Sequence, residues 1–142
     1  MRTVLDDILT DVNILKCMLV KIDTRQKFHV ITLNSTELSA NMTAEMNETL
    51  IPLLQSDVKN LVFNLSNLRS VDEIAAEGLV KLQQHFYENN ASLVFCELPS
   101  SIETYLDEKD LLEIMNVTPT ESEAWDIVQM EEIERELLGD DL

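Results

Sequence analysis

Hydrophobic residues follow two patterns that alternate along the chain: short apolar runs and longer stripes at helical spacing. The short runs predict β-strands, because about four to eight consecutive or alternating apolar residues suit a buried sheet. Residues 14–22 and 27–33 are two such runs, and the polar residues between them predict a hairpin. Further strands are predicted over residues 58–65, 93–98 and 116–118, the last as a brief edge strand.

The stripes predict helices between these strands. The first covers residues 38–54, where Pro52 is expected to kink the helix or end it early. The second covers Glu73–Glu88 and ends in a predicted turn at residues 89–90. The apolar run at residues 111–115 is expected to lead the chain back toward the sheet.

Two capping-box patterns predict the starts of the last helices, because the first residue of such a box caps the helix and the fourth bonds back to it. Ser100 with Glu103 predicts a short helix, and Thr120 with Glu123 predicts a long C-terminal helix. Strands that alternate with helices predict an α/β domain, with parallel pairing wherever a helix crosses over. We therefore expect a mixed central sheet of four to five strands flanked by four or five helices.

The net charge of the chain limits the classes of molecule that it is expected to bind. Ten basic and 27 acidic residues give the 142-residue chain a formal net charge of −17. Binding to nucleic acid or to an acidic membrane surface is disfavoured, because both need clustered Lys and Arg. A basic protein partner and a merely solvated acidic surface both remain compatible. No apolar run approaches the roughly 20 residues that span a bilayer, so we expect a soluble cytoplasmic protein.

The sequence lacks the patterns of common catalytic and metal sites. His29 and His85 belong to no nucleophile–base motif, and a chain with two glycines cannot form a glycine-rich phosphate loop. Cys17 and Cys96 are isolated, without the closely spaced ligands of a zinc site, and Cys96 is expected to be buried. We therefore expect no enzymatic activity, no cofactor and no metal.

The most informative segment covers residues 61–86, where a strand pattern leads through a polar turn into the second helix. Asp72 is expected to cap that helix by accepting from backbone N–H groups of the first turn. Glu73 adds a favourable negative charge at the positive helix end. A loop between a strand end and a helix start faces solvent, so this junction is a natural recognition surface.

This segment, its phrase LVFNLSN, and the order and spacing of elements over residues 18–137 resemble the STAS domain. That module occurs in sulphate transporters and in bacterial anti-sigma-factor antagonists. In the family the junction reads roughly Asp-Ser-Ser-Gly-Leu, and a kinase-like anti-sigma factor phosphorylates the second serine. The matching residues here are Asp72, Glu73, Ile74, Ala75 and Ala76. The resemblance thus implies that the phosphorylation position is lost at Ile74, whereas aligning Gly78 with the family glycine would delete three helical residues.

The resemblance also implies a protein-interaction module. The partner is expected to contact Asp72, Glu73, Ile74 and Ala75, together with Ser35 and Glu37 in the predicted loop over residues 34–41. By analogy with the family, the partner would be a protein such as a kinase-like anti-sigma factor. Without the serine, abundance or competition would regulate binding.

The ends of the chain define three predicted regions. The ending VTPTESEAWDIVQMEEIEREL resembles the tail of short stand-alone STAS proteins, which usually start close to Met18. Residues 1–17 are then an N-terminal extension, either a real one with the apolar spacing of a short helix or a product of start-codon choice. Residues 18–137 form the STAS-like domain, and residues 138–142 form a tail.

The C-terminal helix has two interpretations. Residues 121–141 include nine acidic residues and one arginine, a net −8 of the chain's −17. The apolar spacing predicts a packing face at Ala124, Ile127 and Val128 and a rotated stripe at Met130, Ile133 and Leu137. Either the helix packs at its start and frays into solvated acid, or the stripe docks a second copy or a partner helix. The latter makes a scaffold or assembly subunit, including a homodimer, the alternative function.

Overall fold

A computed structural model describes residues 20–140, with side chains as far as residue 138. Within that range the strands are β1 (Val20–Thr24), β2 (Phe28–Leu33), β3 (Glu37–Leu38), β4 (Asn60–Asn64), β5 (Ser70–Val71), β6 (Leu93–Cys96) and β7 (Val117–Thr118). The α-helices are α1 (Ala40–Leu50), α2 (Glu73–Glu88), α3 (Ser100–Glu108) and α4 (Glu121–Asp140). Short 3-10 helices cover Ile51–Gln55 and Leu112–Ile114.

Five strands form the main sheet in the order β1-β2-β4-β6-β7. Only the β1–β2 hairpin in this sheet is antiparallel, and every other neighbouring pair is parallel. A separate two-stranded parallel sheet joins β3 to β5. The neighbouring strands β2 and β4 are parallel, and the chain leaves them to form β3 and α1, and β5 and α2, respectively. Both helices therefore begin at the carboxyl edge of the sheet, beside this small ribbon.

The two faces of the sheet bury two cores of different size. In the larger core, side chains of α1, α2 and α3 pack on strand residues of one face; Phe86 of α2, Phe63 of β4 and Phe95 of β6 are among its members. The smaller core lies on the other face, where Ala124 and Val128 of α4 pack on side chains of β2, β4 and β6. Alternate residues of each strand therefore point into different cores, as in a sheet covered on both sides.

The predicted α/β architecture, with a mixed sheet of five strands and four α-helices among the described residues, is confirmed. The predicted hairpin forms, but its first strand continues to Thr24 and its turn is displaced accordingly. The strands predicted over residues 58–65 and 93–98 are shorter than expected, and the edge strand β7 forms as expected. Residues 1–17, and residues 14–19 of the predicted first strand, lie outside the described residues.

Two predicted helix starts are wrong. Helix α1 begins at Ala40 and not at residue 38, because Leu38 pairs with Val71 in the ribbon. Ser100 is the first residue of α3 and makes no side-chain cap; Pro99 occupies the cap position, and its carbonyl accepts from the N–H groups of Ile102 and Glu103. The fixed φ of proline presets the turn that a capping serine would otherwise stabilise.

Two other helix boundaries are set by residues that lie next to them in the sequence. Helix α1 ends at Leu50, and Pro52 lies in the 3-10 turn that follows, so the expected early end is confirmed. Thr120 caps α4 as predicted, with its Oγ1 accepting from the Glu123 N–H at 3.3 Å. The helix α4 extends to Asp140, so the predicted tail begins inside it.

Gly78 permits the close approach of α1 and α2. A Cβ atom at this position would lie 3.0 Å from Cγ2 of Thr43, which is too close for relaxed packing. Gly78 therefore has a packing role of its own inside α2, independent of the helix start at Asp72.

Candidate protein-interaction site

Asp72 joins the starts of two helices through one carboxylate. Its Oδ1 accepts from the N–H of Ala75 at 2.7 Å, which is the expected N-cap contact in α2. Its Oδ2 accepts from the N–H of Ala40, the first residue of α1, at 2.8 Å. The second contact links residues that are 32 positions apart, and no local sequence pattern indicates it. Asp72 therefore fixes α1 and α2 relative to one another as well as capping α2.

The ribbon of β3 and β5 brings the other predicted contact residues to the same place. Glu37 pairs with Ser70, and Leu38 pairs with Val71, directly before Asp72. The hydroxyl of Ser35 donates to the carbonyl of Glu37 at 2.7 Å and accepts from its N–H at 3.2 Å. The predicted loop over residues 34–41 is thus a tight turn, a two-residue strand and the start of α1.

Ile74 is an exposed apolar side chain in the first turn of α2. It is 63% exposed, whereas the next two residues, Ala75 and Ala76, are fully buried in the larger core. Glu73 is also exposed. The structure therefore places Asp72, Glu73, Ile74, Ser35 and Glu37 on one surface, while the side chain of Ala75 packs inward and is not available to a partner in this conformation.

The charge on this surface is mainly negative. Glu37, Asp72 and Glu73 are exposed, and Nζ of Lys109 lies 4.0 Å from Oε2 of Glu73. An exposed pair at that distance contributes little to stability. Arg69 turns its guanidinium to the carbonyls of Ser66 and Leu68, at 2.9 Å each. The surface therefore offers an apolar side chain within an acidic surround.

A further carboxylate at the same sheet edge, that of Glu97, was not predicted from the sequence. Glu97 has a φ of +60°, which is uncommon for a residue with a side chain. Its Oε2 accepts from the N–H of Glu121 at the start of α4, at 2.8 Å. Together with Asp72, it fills the helix-start positions where an anionic ligand would bind. Acidic and apolar contacts are therefore the chemistry that this edge provides.

Of the two histidines, His29 has a structural role. His29 is buried; its Nδ1 lies 2.8 Å from Oγ1 of Thr24, and its Nε2 lies 2.8 Å from the carbonyl of Val58. His85 lies in the last turn of α2. Within the described part of the chain, no group of three or more His, Cys, Asp or Glu side chains is arranged to hold a metal ion.

No described helix combines the length and apolarity that crossing a bilayer requires.

Cys96 is buried in the smaller core, as predicted. Burial, followed by the negative charges of Glu121 and Glu97, raises the pKa of its thiol to about 12. Only the thiolate reacts readily, so at about pH 8 the folded protein should protect Cys96 from iodoacetamide. In a Cys17→Ser variant we expect almost no labelling in native buffer and complete labelling in denaturant, measured by mass spectrometry. Rapid labelling of the folded variant would contradict this prediction.

A cleft of about 710 Å³ lies at the opposite, amino edge of the sheet. Its lining includes Lys27, Lys59, Asn60, Glu132 and Arg135. The charged groups of Glu132 and Arg135 bond to each other at 2.9 Å and to Asn60, so they are engaged within the protein. The positive and negative side chains that line the cleft are equal in number. Its described polar groups do not point to one class of ligand.

Comparisons with known proteins identify the family and the fold. A family model described as the STAS domain matches residues 20–124, which is most of the chain. No curated protein sequence matches the chain.

Solved structures with the same fold include two kinds of protein. A Thermotoga maritima protein provisionally described as an anti-sigma factor antagonist is 16% identical, with a TM-score of 0.66; the match covers 80% of this chain and 97% of that one. The Bacillus anti-sigma factor antagonist SpoIIAA in its unphosphorylated form is 16% identical, with a TM-score of 0.62 and coverage of 78% and 96%.

The third structure is a murine anion transporter, solute carrier 26 family member A9. It is 15% identical with a TM-score of 0.63, and the match covers 76% of this chain but 18% of the transporter. At these identities the likenesses establish the fold, and the family model establishes the relationship over the part of the chain that contains β1 to β7. The chain belongs to the STAS domain family.

Proposed function

We propose that this chain is a non-enzymatic protein-interaction module, a cytoplasmic regulator of the anti-sigma-factor-antagonist kind. It docks a protein partner through the start of α2, using Asp72, Glu73 and Ile74 with Ser35 and Glu37 beside them. The partner is of the kinase-like anti-sigma-factor kind. Family membership and the two structural neighbours described as antagonists support the general role.

The exposure of Ile74 is the observation that carries the proposal. An apolar side chain that is 63% exposed, in the first turn of a helix fixed by the Asp72 carboxylate, is poorly explained by packing. Complete burial of an exposed isoleucine contributes about 1.5–3 kcal/mol, and the 63% of Ile74 that is still exposed leaves about 1–2 kcal/mol of that available to a complex. Because the helix start is already held by hydrogen bonds, little ordering cost opposes that gain.

The same residue sets the mode of regulation. If Ile74 occupies the position of the family serine, the site has no hydroxyl to accept phosphate. Glu73 carries one negative charge and two acceptor oxygens, fewer than a phosphate group. Binding is then controlled by abundance or by competition between partners.

Affinity capture from native lysate tests the docking surface. We expect Ile74→Arg to remove the partner that the wild-type protein retains, because it places a charge in the apolar contact. Ile114→Arg is a matched control, since Ile114 is also exposed, at 51%, but lies beyond α3 and beside the C-terminal half of α2. Loss of the same partner from both variants, or from neither, would contradict the proposed surface.

Phosphate mapping tests the regulation separately. We expect native protein to carry no stoichiometric phosphate over residues 66–76, although Ser66 and Ser70 are exposed there. Stoichiometric phosphate on either serine would overturn the idea of a lost switch and leave the docking surface to be judged by the capture experiment.

A second candidate function is an assembly subunit that associates through α4. The observation that favours it is the exposed stripe of Met130, Ile133 and Leu137, which we call the outer stripe; these side chains are 53%, 56% and 63% exposed. Deleting residues 129–142 is a poor test, because it would also remove the bonds of Arg135 to Ser92 and Asn60. Alanine substitutions in the outer stripe leave those bonds in place and are the better test.

A further inference from the structure

The outer stripe lies on a helix that the domain holds in place. On the inner face of α4, the Tyr87 hydroxyl donates to Oε1 of Glu131 at 2.7 Å. One turn further, Arg135 donates to Oγ of Ser92 and to Oδ1 of Asn60, at 2.9 Å each. These contacts continue well past the apolar packing at Ala124 and Val128. The stripe is therefore displayed on an anchored helix, and its partner need not order it.

The spacing of the outer stripe is that of a coiled-coil seam. Met130, Ile133 and Leu137 are separated by three and four residues, the a–d–a spacing of a heptad. At 100° per residue they lie on the side of α4 opposite the buried residues Ala124 and Val128. A helix that fills this seam would pack against α4 without touching the sheet.

The residues that flank the seam determine which helix fits. Gln129, Glu134 and Glu136 take the g, e and g positions, and all three are exposed. Glu136 has Lys27 at 3.7 Å, but both side chains are 57% exposed, so that ion pair is weak. The seam is thus an apolar line with Glu134 on one side and with Gln129 and Glu136 on the other.

A second copy of the chain would place the Glu134 and Glu136 carboxylates of both helices beside the same apolar line, where their like charges repel. The helix adds to this repulsion, because Glu121–Asp140 has one basic residue, Arg135, and eight acidic ones. Opposite charges at e and g positions select partners in coiled coils, and like charges exclude them. Self-association through this seam is therefore disfavoured.

We propose that the outer stripe binds a helix of another protein that presents apolar residues at its a and d positions and Lys or Arg at its e and g positions. This inference rests on the second candidate function and adds the chemistry of the partner. It leaves the Ile74 surface at the carboxyl edge of the sheet unoccupied.

Two designed peptides of about four heptads test the inference, both with Leu at a and d. One carries Lys at e and g, and the other carries Glu at the same positions. Binding to the full-length protein is measured by fluorescence anisotropy at about 0.15 M salt, where distant charges are screened. The variant with Met130→Ala, Ile133→Ala and Leu137→Ala keeps the charge and the helix propensity of α4, and circular dichroism verifies its folding.

We expect the Lys peptide to bind the wild-type protein, the triple variant to bind it at least about tenfold more weakly, and the Glu peptide not to bind. Equal binding of the Lys peptide to wild type and variant would show attraction by net charge alone and would overturn the inference. Binding of neither peptide would overturn the inference, and if sedimentation also showed a monomer it would overturn the second candidate function.

Two outcomes would overturn the inference alone. If both peptides bound equally and both were weakened by the triple variant, the seam would dock helices without selecting charge. If sedimentation showed a wild-type dimer that the triple variant loses, the occupant would be a second copy. In either case association through α4, the second candidate function, would stand.

Discussion

Replacing Asp72 by alanine should lower the free energy of unfolding by about 2 kcal/mol, because two helices lose a cap at once. A single N-cap contributes about 1 kcal/mol, and the Asp72 carboxylate makes one such contact to Ala75 and another to Ala40. Denaturant unfolding followed by circular dichroism measures the change. Asp72→Asn keeps one acceptor oxygen but turns an amide donor toward the other N–H, so it should cost at least half as much.

Asp107→Ala is the control for charge. Asp107 is an exposed acidic residue near the end of α3, and removing it changes the net charge by the same amount. We expect its effect to lie within about 0.5 kcal/mol. An Asp72→Ala variant no less stable than Asp107→Ala would show that the double cap contributes nothing.

The double cap changes how partner experiments should be designed. A substitution at Asp72 that abolishes binding has two explanations, a lost contact or a displaced α1 and ribbon. Ile74 is exposed and makes no such structural bond, so Ile74→Arg separates docking from folding. The carboxylate is thus better described as the support of the surface than as its main contact.

Replacing Asn60 by alanine should lower the free energy of unfolding by about 3 kcal/mol, the larger of the two effects. Asn60 is 3% exposed, and its Nδ2 donates to the carbonyl of Lys27 and to Oε2 of Glu132. Its Oδ1 accepts from the N–H of Ser92 and from Arg135. Without this side chain, the buried N–H of Ser92 and the charged groups of Glu132 and Arg135 each lose a hydrogen bond. Such a loss costs about 1–3 kcal/mol for a fully buried group.

Asn67→Ala is the matched control, because the exposed Asn67 makes one bond, from Nδ2 to the carbonyl of Leu33 at 3.1 Å. We expect it to cost about 1 kcal/mol or less. Both variants are compared by denaturant unfolding at neutral pH. Similar losses for Asn60→Ala and Asn67→Ala would mean that the Asn60 network adds nothing beyond one ordinary bond.

Asn60 should also affect the response to acid. Its hydrogen bond, with further help from Arg135, holds the pKa of Glu132 below its ordinary value despite partial burial. A carboxyl whose pKa is lowered by folding stabilises the protein above its unfolded pKa, and that stabilisation is lost as the pH falls through the folded value. Between about pH 5 and pH 3, wild-type protein should therefore lose more stability than Asn60→Ala.

The sequence predicted those features that depend on local pattern. The order of strands and helices, the cap at Asp72, the end of α1 before Pro52 and the burial of Cys96 all follow from periodicity or from one residue's chemistry. The resemblance carried by residues 61–86 predicted the family that the comparisons establish. Each of these signals lies within a few consecutive residues.

The features that were missed depend on contacts between distant residues. The ribbon pairs two-residue strands more than 30 positions apart, too short to show alternation. The bond from Ala40 to Asp72, the positive φ of Glu97 and the Asn60 network are likewise set by tertiary placement. The wrong prediction of a cap at Ser100 has a local cause. The sequence has the pattern of a capping box, but the neighbouring Pro99 occupies the cap position.

The direction of α4 across the sheet has a consequence for assembly. This helix begins near Glu97 at one edge and runs about 30 Å to the other, so Ile74 and Leu137 lie at opposite ends of the molecule. The two proposed docking places are therefore separate surfaces. The domain would then act as a bivalent adaptor that raises the local concentration of one ligand around the other.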